Sequence, residues 1–574
     1  MNGGKSNTSR AGKNPADLVL QNAAVYTVDP SRPWADSLAV KGKEIVYVGS
    51  NTGVGAYIGQ GTEVIDLHGK MVLPGFVDSH AHVSLGVSLV PSVSVQLFNL
   101  PSLAAYQQAL RDFAARRPDL EVIYGAGWTN SIFPPLGPRK EDLDAVVADR
   151  PVSMMSEDGH AVWVNSKALE AAGIGKGTPD PRGGVIERDP ETGEPSGTLR
   201  ETAMDSVHSI LPPYTVEQMK EGIRAYAAMA AREGITTVHD PMLICPGDRE
   251  SYLASGLARN SVEAFSQLEA HGELSLRVRG SLLTLPTRGP AQVSAFLSER
   301  AKHRGAQFQI NSAKIFADGV IEGSTAYLFE PYAHMPEYRG KSLWEPDALK
   351  EICRVLDREK FQIHVHAIGD AAISMTLDAF EHARNANGPR DSRHLITHLQ
   401  LLGPKDIPRF ASLGVIGVPQ PIWFLKGDYY YKLALPYLGR ERADRQYPMK
   451  SFFEAGVRMA GASDFPVTLP CPPLLGIMTG VTRCEPGVAD PGEVLWPEER
   501  ASLKDMIACF TINGAYANFL ERETGSLQVG KVADIVVIDG NLFEMPASEI
   551  GKTRVVLTLF EGREVYRDAS LHGE

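Results

Sequence analysis

Residues 71–82 read MVLPGFVDSHAH: an apolar run, then Asp78 and two histidines, His80 and His82, one residue apart. An apolar stretch of this length reads as a strand covered on both faces, the kind found in parallel sheets. Residues i and i+2 of a strand point the same way, so both imidazoles face one point at the strand's C-terminal end. Asp78 shares that parity and is placed to orient a ligand histidine. Taken alone, two strand-end histidines held by ordinary hydrogen bonds explain the pattern as well as a metal site does.

The pattern recurs down the chain. GITTVHDP (234–241), LRVRGSLL (276–283), FQINSAKIFADG (308–319), FQIHVHAIGD (361–370), RHLITHLQ (393–400), GVIGVPQP (414–421) and VRMAGASDFP (457–466) are short apolar runs, most of them turning polar at their C-terminal ends. Between them lie stretches such as TVEQMKEGIRAYAAMAAREG (215–234) and PDALKEICRVLDREK (346–360), with apolar residues at helical spacing. Eight such units in order predict an α/β fold, a (β/α)8 TIM barrel spanning residues 71–520. A doubly wound open sheet is the competitor, but it gives no reason for His and Asp to recur at strand ends.

Both chain ends are different. Residues 17–70 and 521–574 alternate in the β manner with Gly- and Asn-rich turns, as in ADLVLQNAAVYTV and GSLQVGKVADIVVIDG. Neither piece can build a core alone, so the two are expected to form one small β-sandwich clamping the barrel. Residues 83–233 are too long for a structureless loop and carry their own helix and strands, which predicts an inserted α/β subdomain after barrel strand 1, over the barrel mouth. Residues 1–16 are polar and rich in Gly, Ser and Lys, and read as a disordered tail.

The chain has 574 residues, of which 43% are hydrophobic, and a formal charge of −12. That composition excludes fibrous and disordered classes, and the acidic balance without a Lys/Arg stripe excludes a non-specific nucleic-acid surface. The first sixteen residues lack the apolar run expected of a signal peptide, no stretch of eighteen apolar residues occurs later, and five scattered cysteines form no CxxC pair. The expectation is a cytoplasmic protein with no membrane partner, acting on a small molecule.

Four side chains at other strand ends join the first pair: His366, His398, Asp464 and, within strand four, Lys314. Four imidazoles and a carboxylate suit zinc or a related divalent ion. His364 shares the parity of His366 one layer deeper and reads as a core or supporting residue. A lysine in an apolar strand must lose its charge, find a partner or be modified. Lys314 is therefore either paired to Asp318 or Glu322, or a neutral amine that reacts with carbon dioxide to give a carbamate.

The combination of PGFVDSHAHV, AKIFADG, HAIGD, ITH, GASDFPV and GSLQVGKVADIVVIDG resembles the amidohydrolase superfamily over roughly residues 17–565. The segments EDGHAVWVNSKAL, GVIEGSTA and HAIGD are similar to its YtcJ-like branch, which includes an N-substituted formamide deformylase. The resemblance implies that His80 and His82 bind a buried metal with Asp464. It further implies that Lys314, N-carboxylated, bridges to a second ion held by His366 and His398. One or two zinc ions and a homo-oligomer, commonly a dimer, are implied in the same way. Relatives carry Trp after the last-strand Asp, where this chain has Phe465.

The chemistry these residues support is hydrolysis of a carbon–nitrogen or carbon–oxygen bond at a carbonyl by metal-activated water, and the resemblance implies a small N-substituted amide or formamide as the substrate. Asp464 is expected to take and return the proton, with His160 and the surroundings of His398 stabilising the oxyanion. Trp128, Asp158, His160, Asp318, Gln400, Gln420, Trp423 and Phe465 are the candidates for substrate contact, and His239 for a supporting role. The same scaffold could instead serve ester or lactone hydrolysis, or carbon–carbon cleavage of a carbonyl compound. A metal-binding protein without activity is the remaining alternative, and it would be expected to have lost ligands that this chain retains.

Overall fold

The computed structural model describes residues 15–181, 183–248, 250, 255–487 and 493–571. Its centre is a parallel sheet of β1 (Phe76–Asp78), β2 (Ile235–Leu243), β3 (Arg277–Leu283), β4 (Phe308–Phe316), β5 (Gln362–Ala367), β6 (Leu395–His398) and β7 (Ile416–Val418), neighbours in sequence pairing in space. Residues 458–464 close the ring. On one side Ala460 N donates to Gly417 O and Ala462 N to Pro419 O; on the other, Ser79 N donates to Gly461 O and Asp464 N to His80 O. The barrel expected from the recurring units is thus formed, with the eighth position filled by extended backbone.

Helices surround it for the reason the spacing gave. Pro346–Arg358 starts on Pro346, whose missing N–H costs nothing at a first turn, and buries Leu349, Ile352, Cys353, Val355 and Leu356 along one face. Val216–Arg232 begins with a capping box from Thr215 and Gln218 and packs against the barrel through Met219, Ile223, Tyr226 and Ala230. The last part of the segment read as an insertion is therefore a barrel helix leading into β2.

The barrel interior is unusual in being polar. Arg279, Ser281, Ser312, Lys314, His239 and His364 are all buried on the strands that line it. Buried polar groups need partners. His239 meets Asn518 at 2.9 Å through Nδ1 and Ser281 at 2.7 Å through Nε2, and its ring stands 4.7 Å from that of His364.

The two chain ends do combine. A sheet of Glu44–Gly49, Ser37–Lys41, Leu18–Gln21 and Glu63–Asp66 faces one of Arg563–Arg567, Val555–Phe560, Ile535–Ile538, Met71–Pro74, Ala24–Tyr26 and Trp34–Ala35. The run MVLPGFVD, expected to be one barrel strand, is therefore two. Met71–Pro74 pairs with Ile535–Ile538 in the end domain, and only Phe76–Asp78 enters the barrel. Gly75 makes the switch: a Cβ there would lie 2.4 Å from Thr236 Oγ1. An apolar run covered on both faces looks the same in either sheet, so periodicity could not locate this break. The tail expected over 1–16 falls, for residues 1–14, outside the described residues; Ala16 is buried and its N–H donates to Tyr57 O.

The insertion forms a six-stranded mixed sheet, Gly184–Arg188, Pro195–Glu201, Ala161–Val164, Val152–Ser156, Ile123–Trp128 and Val95–Gln96. Helix Leu103–Arg116 contributes Tyr106, Leu110 and Phe113 to a core shared with Trp128 and Trp163. Val152–Ser156 and Ala161–Val164 pair antiparallel. The stretch SEDGHA between them is their turn, with Gly159 at φ +76°, where a side chain would be strained. That turn carries Asp158 and His160 toward the barrel. Among the described residues no helix is long and apolar enough to cross a membrane.

Candidate metal centre

The strand ends bring the expected ligands together. His80 Nε2 lies 3.2 Å and His82 Nε2 3.3 Å from Asp464 Oδ1, and His398 Nδ1 lies 3.9 Å from Asp464 Oδ2. One ligand atom from each of His80, His398 and Asp464 falls within 4.8 Å of the others, and all three residues are buried. His80 Nε2 and Asp464 Oδ1 are close but make no hydrogen bond of acceptable geometry, and Lys314 Nζ is likewise without a hydrogen-bond partner. Buried polar atoms that converge without satisfying one another fit a cation between them. His80, His398 and Asp464 form a site for a divalent metal ion.

Supporting contacts set the tautomers that such binding needs. Gln420 Oε1 lies 3.0 Å from His398 Nδ1, so Nδ1–H donates there and Nε2 keeps its lone pair. His80 Nδ1 faces His364 Nε2 at 2.8 Å; with the proton on His80 Nδ1, its Nε2 is free to ligate. His364 is thus the orienter of His80, whereas Asp78, which the strand parity favoured, accepts the backbone N–H groups of His80 (3.2 Å) and Ser463 (3.0 Å). His366 Nε2 meets Gly319 O at 3.2 Å, and the His366 ring stands 4.4 Å from that of His398.

The electrostatics favour neutral imidazoles. Burial, with nearby Lys314 or other histidines adding to it, holds His80, His364 and His366 well below the usual histidine range and takes His398 down to about 3. Burial likewise brings Lys314 down to about 7, opposed by Asp464 and Asp240. The ion pairs considered for Lys314 are not made. Asp318 accepts N–H bonds from Tyr327, Ile368 and Gly369, and Glu322 accepts the Tyr429 hydroxyl at 2.8 Å.

A pocket enclosing about 980 Å3, its solvent-open mouth included, carries His80, His82, Lys314, His366, His398 and Asp464 on its barrel side and Asp158 and His160 on the insertion side. A second, enclosing about 1100 Å3 with its open mouth included, shares Asp158, His160, His366, His398 and Asp464 and adds Glu322, Gln400, Trp423 and Tyr429. Trp423 lies parallel to the His398 ring, 5.8 Å away, with its indole N–H on Thr468 Oγ1 at 3.0 Å. Asp158 accepts from His160 N and Asn130 Nδ2, both at 2.9 Å.

Four expected substrate residues lie elsewhere. Trp128 is in the core of the insertion, donating its indole N–H to Met154 O at 2.8 Å. Asp318 ties two strand-end loops together as above. Gln420 acts through His398, and the Phe465 ring packs on Tyr226 at 4.8 Å, outside both cavity walls. A place in or beside a strand-end loop does not say which way a side chain turns.

One residue was missed. Glu201 is buried, its Oε2 2.9 Å from His160 Nδ1 and its Oε1 accepting Thr325 Oγ1 at 2.6 Å. Burial disfavours charge on His160, but the Glu201 carboxylate, aided by Asp158 and Glu322, outweighs it and raises the imidazole to about 9. Glu201 sits at φ 49°, ψ −130°, a conformation a non-glycine residue rarely adopts. Nothing in the run GTLRETA signals either property.

Residues 63–566 match the sequence model of the amidohydrolase family. The chain belongs to that family. It is 31% identical to the protein LONG AFTER FAR-RED 3 of Arabidopsis thaliana over 96% of this chain and 92% of that one. It is 30% identical to the putative amidohydrolase YtcJ of Bacillus subtilis over 88% and 90%. It is 26% identical to the N-substituted formamide deformylase of Arthrobacter pascens over 95% and 97%. Family membership and the buried triad of His80, His398 and Asp464 make this chain a metal-dependent hydrolase.

Proposed function

We propose that this amidohydrolase cleaves the carbon–nitrogen bond of a small N-substituted amide or formamide, with zinc as its metal. The observation that carries the reading is the buried convergence of His80, His398 and Asp464 beneath a pocket that opens to solvent. Its likeness to the Arthrobacter deformylase supports the choice of bond. His82 and His366, on the same cavity wall, would complete the ligand set around that ion; were two ions bound, His398 would pass from the triad to the second, beside His366.

The ion supplies Lewis acidity, making water nucleophilic near neutral pH and polarising the scissile carbonyl. Asp464, beside His80 and His82, accepts the proton that the attacking water gives up and returns it to the departing nitrogen, so that the amine leaves neutral. His160, held by Glu201 through Nδ1, turns its other nitrogen to the cavity and donates to the carbonyl oxygen as negative charge grows there. Trp423 covers the His398 side and limits the approach of bulk water.

Lys314 enters as its carbamate. The neutral amine adds to carbon dioxide: a nitrogen–carbon bond forms as one carbon–oxygen π bond opens, one N–H proton is lost to solvent, and an anionic oxygen donor replaces the neutral amine. Protein equilibrated with 13C-bicarbonate is expected to show a carbamate carbon resonance that Lys314→Met lacks. A fully active protein without that resonance removes the carbamate from this account.

The function itself is tested by metal removal and substrate choice. Dialysis against a chelator is expected to abolish amine release from N-alkylformamides, and stoichiometric zinc to restore it. Activity that survives with no bound metal, or turnover of formate esters but of no amide, overturns the proposal.

A further inference from the structure

The cavity of about 980 Å3 has a second polar region whose groups the reaction above does not use. Its insertion side includes Ser88, Ser94, Ser153, His208 and Tyr214, and Phe98, Met155, Met242 and Leu257 line the same cavity. His208 is fully buried; its Nε2 lies 2.9 Å from Ser153 Oγ, while its Nδ1 has no hydrogen-bond partner. Ser88 Oγ, on a side chain 6% exposed, has none either. A buried imidazole nitrogen and a buried hydroxyl left unsatisfied are costly unless something supplies the missing bond.

We infer that this region is a subsite for a substrate arm with an apolar stem and a neutral hydrogen-bonding end, a hydroxyl or an amide, received by His208 Nδ1 and Ser88 Oγ. The inference rests on the proposed reaction only for placing the scissile bond at the metal end of the same cavity.

The chemistry selects a neutral end. Burial and the neighbouring Arg259 charge take His208 down to about 4, so it presents an uncharged ring near neutral pH. The Ser153 pairing allows either tautomer. If Ser153 donates to Nε2, Nδ1–H is a donor; if Nε2–H donates to Ser153, Nδ1 is an acceptor. Together with the Ser88 hydroxyl, which both donates and accepts, this suits a group that can do both. Ser88, Ser94, Ser153, His208 and Tyr214 offer an ammonium no neutralising charge; the insertion-side carboxylates of this cavity, Glu157 and Asp158, belong to the turn that follows Ser156. The apolar side chains on the same wall reward a stem of methylenes, because each buried CH2 takes apolar surface out of water.

The test uses binding rather than turnover. Hydroxamates of four to eight carbons, ending in methyl, hydroxyl, carboxylate or ammonium, are titrated calorimetrically into the zinc-loaded protein; the hydroxamate head anchors on the metal and the arm explores the cavity. At one chain length or more, the hydroxyl-ended compound is expected to bind about fivefold or more tightly than its methyl partner, and more tightly than either charged one. Ser88→Ala is expected to reduce that ratio and His208→Leu to abolish it. Because the ratio compares two ligands on one protein, a general loss of folded protein does not imitate the effect. Equal binding of methyl and hydroxyl ends at every length, preference for a charged end, or a ratio unchanged in both variants overturns the inference. Failure of the zinc-dependent amide hydrolysis assay overturns the reaction and leaves the arm preference standing as measured.

Discussion

Asp464→Asn is expected to lower kcat by about 10²–10⁴-fold while the protein still binds metal. The exchange is as conservative as this site allows. Asp464 sits at φ 59°, in the left-handed region that Asn tolerates better than most residues, and its backbone N–H on His80 O at 2.8 Å is untouched. An amide oxygen still points at the ion, so occupancy is recoverable at saturating zinc. What disappears is a carboxylate able to accept a proton. Burial alone would push that carboxyl up, but contact with His80 and its neighbours holds it well below the usual carboxylate range. Metal content by elemental analysis and kcat at saturating substrate separate the two roles. Full turnover in a metal-replete Asn variant would end the assignment of Asp464 as the base.

Arg277→Met is expected to destabilise the fold by about 3–5 kcal/mol without touching the metal centre. Arg277 opens β3 at the end of the barrel opposite the ligands, and its guanidinium reaches Asp534 Oδ2 at 2.7 Å, Thr237 Oγ1 at 3.1 Å and Glu561 Oε1 at 3.3 Å. Both members of the Arg277–Asp534 pair are buried, at 2% and 0% side-chain exposure, and they join the barrel to the domain made from the chain ends. Removing the arginine strands a carboxylate in a dry interface, which costs more than the pair itself contributes. The urea midpoint of the single variant should therefore fall, and Arg277→Met combined with Asp534→Asn should recover part of the loss. A single variant as stable as the parent would show that the two domains do not depend on this contact.

The parts of the site legible in the sequence were those fixed by strand geometry. Two-residue parity put His80 and His82 on one point, and β/α order carried His366, His398 and Asp464 to the same end of the barrel. Parity could not tell which neighbour would orient a ligand: Asp78 was on the right face, yet its carboxylate is taken by backbone N–H groups while His364, one layer down and on another strand, meets His80. Trp128 and Phe465 mark the same limit from the other side. Each lies where a wall residue was expected, and each turns its ring into a core.

By itself the sequence determined the barrel, the domain built from both ends, the insertion after the first strand and the residue types at the metal, because each follows from local periodicity and chain order. Tertiary structure alone decided the break at Gly75, the pairing of Glu201 with His160, and the unsatisfied His208 and Ser88 in the cavity wall. Those depend on which faces meet across elements far apart in the chain. The hydrogen-bond partner of a buried group is set by that meeting, and no local pattern encodes it.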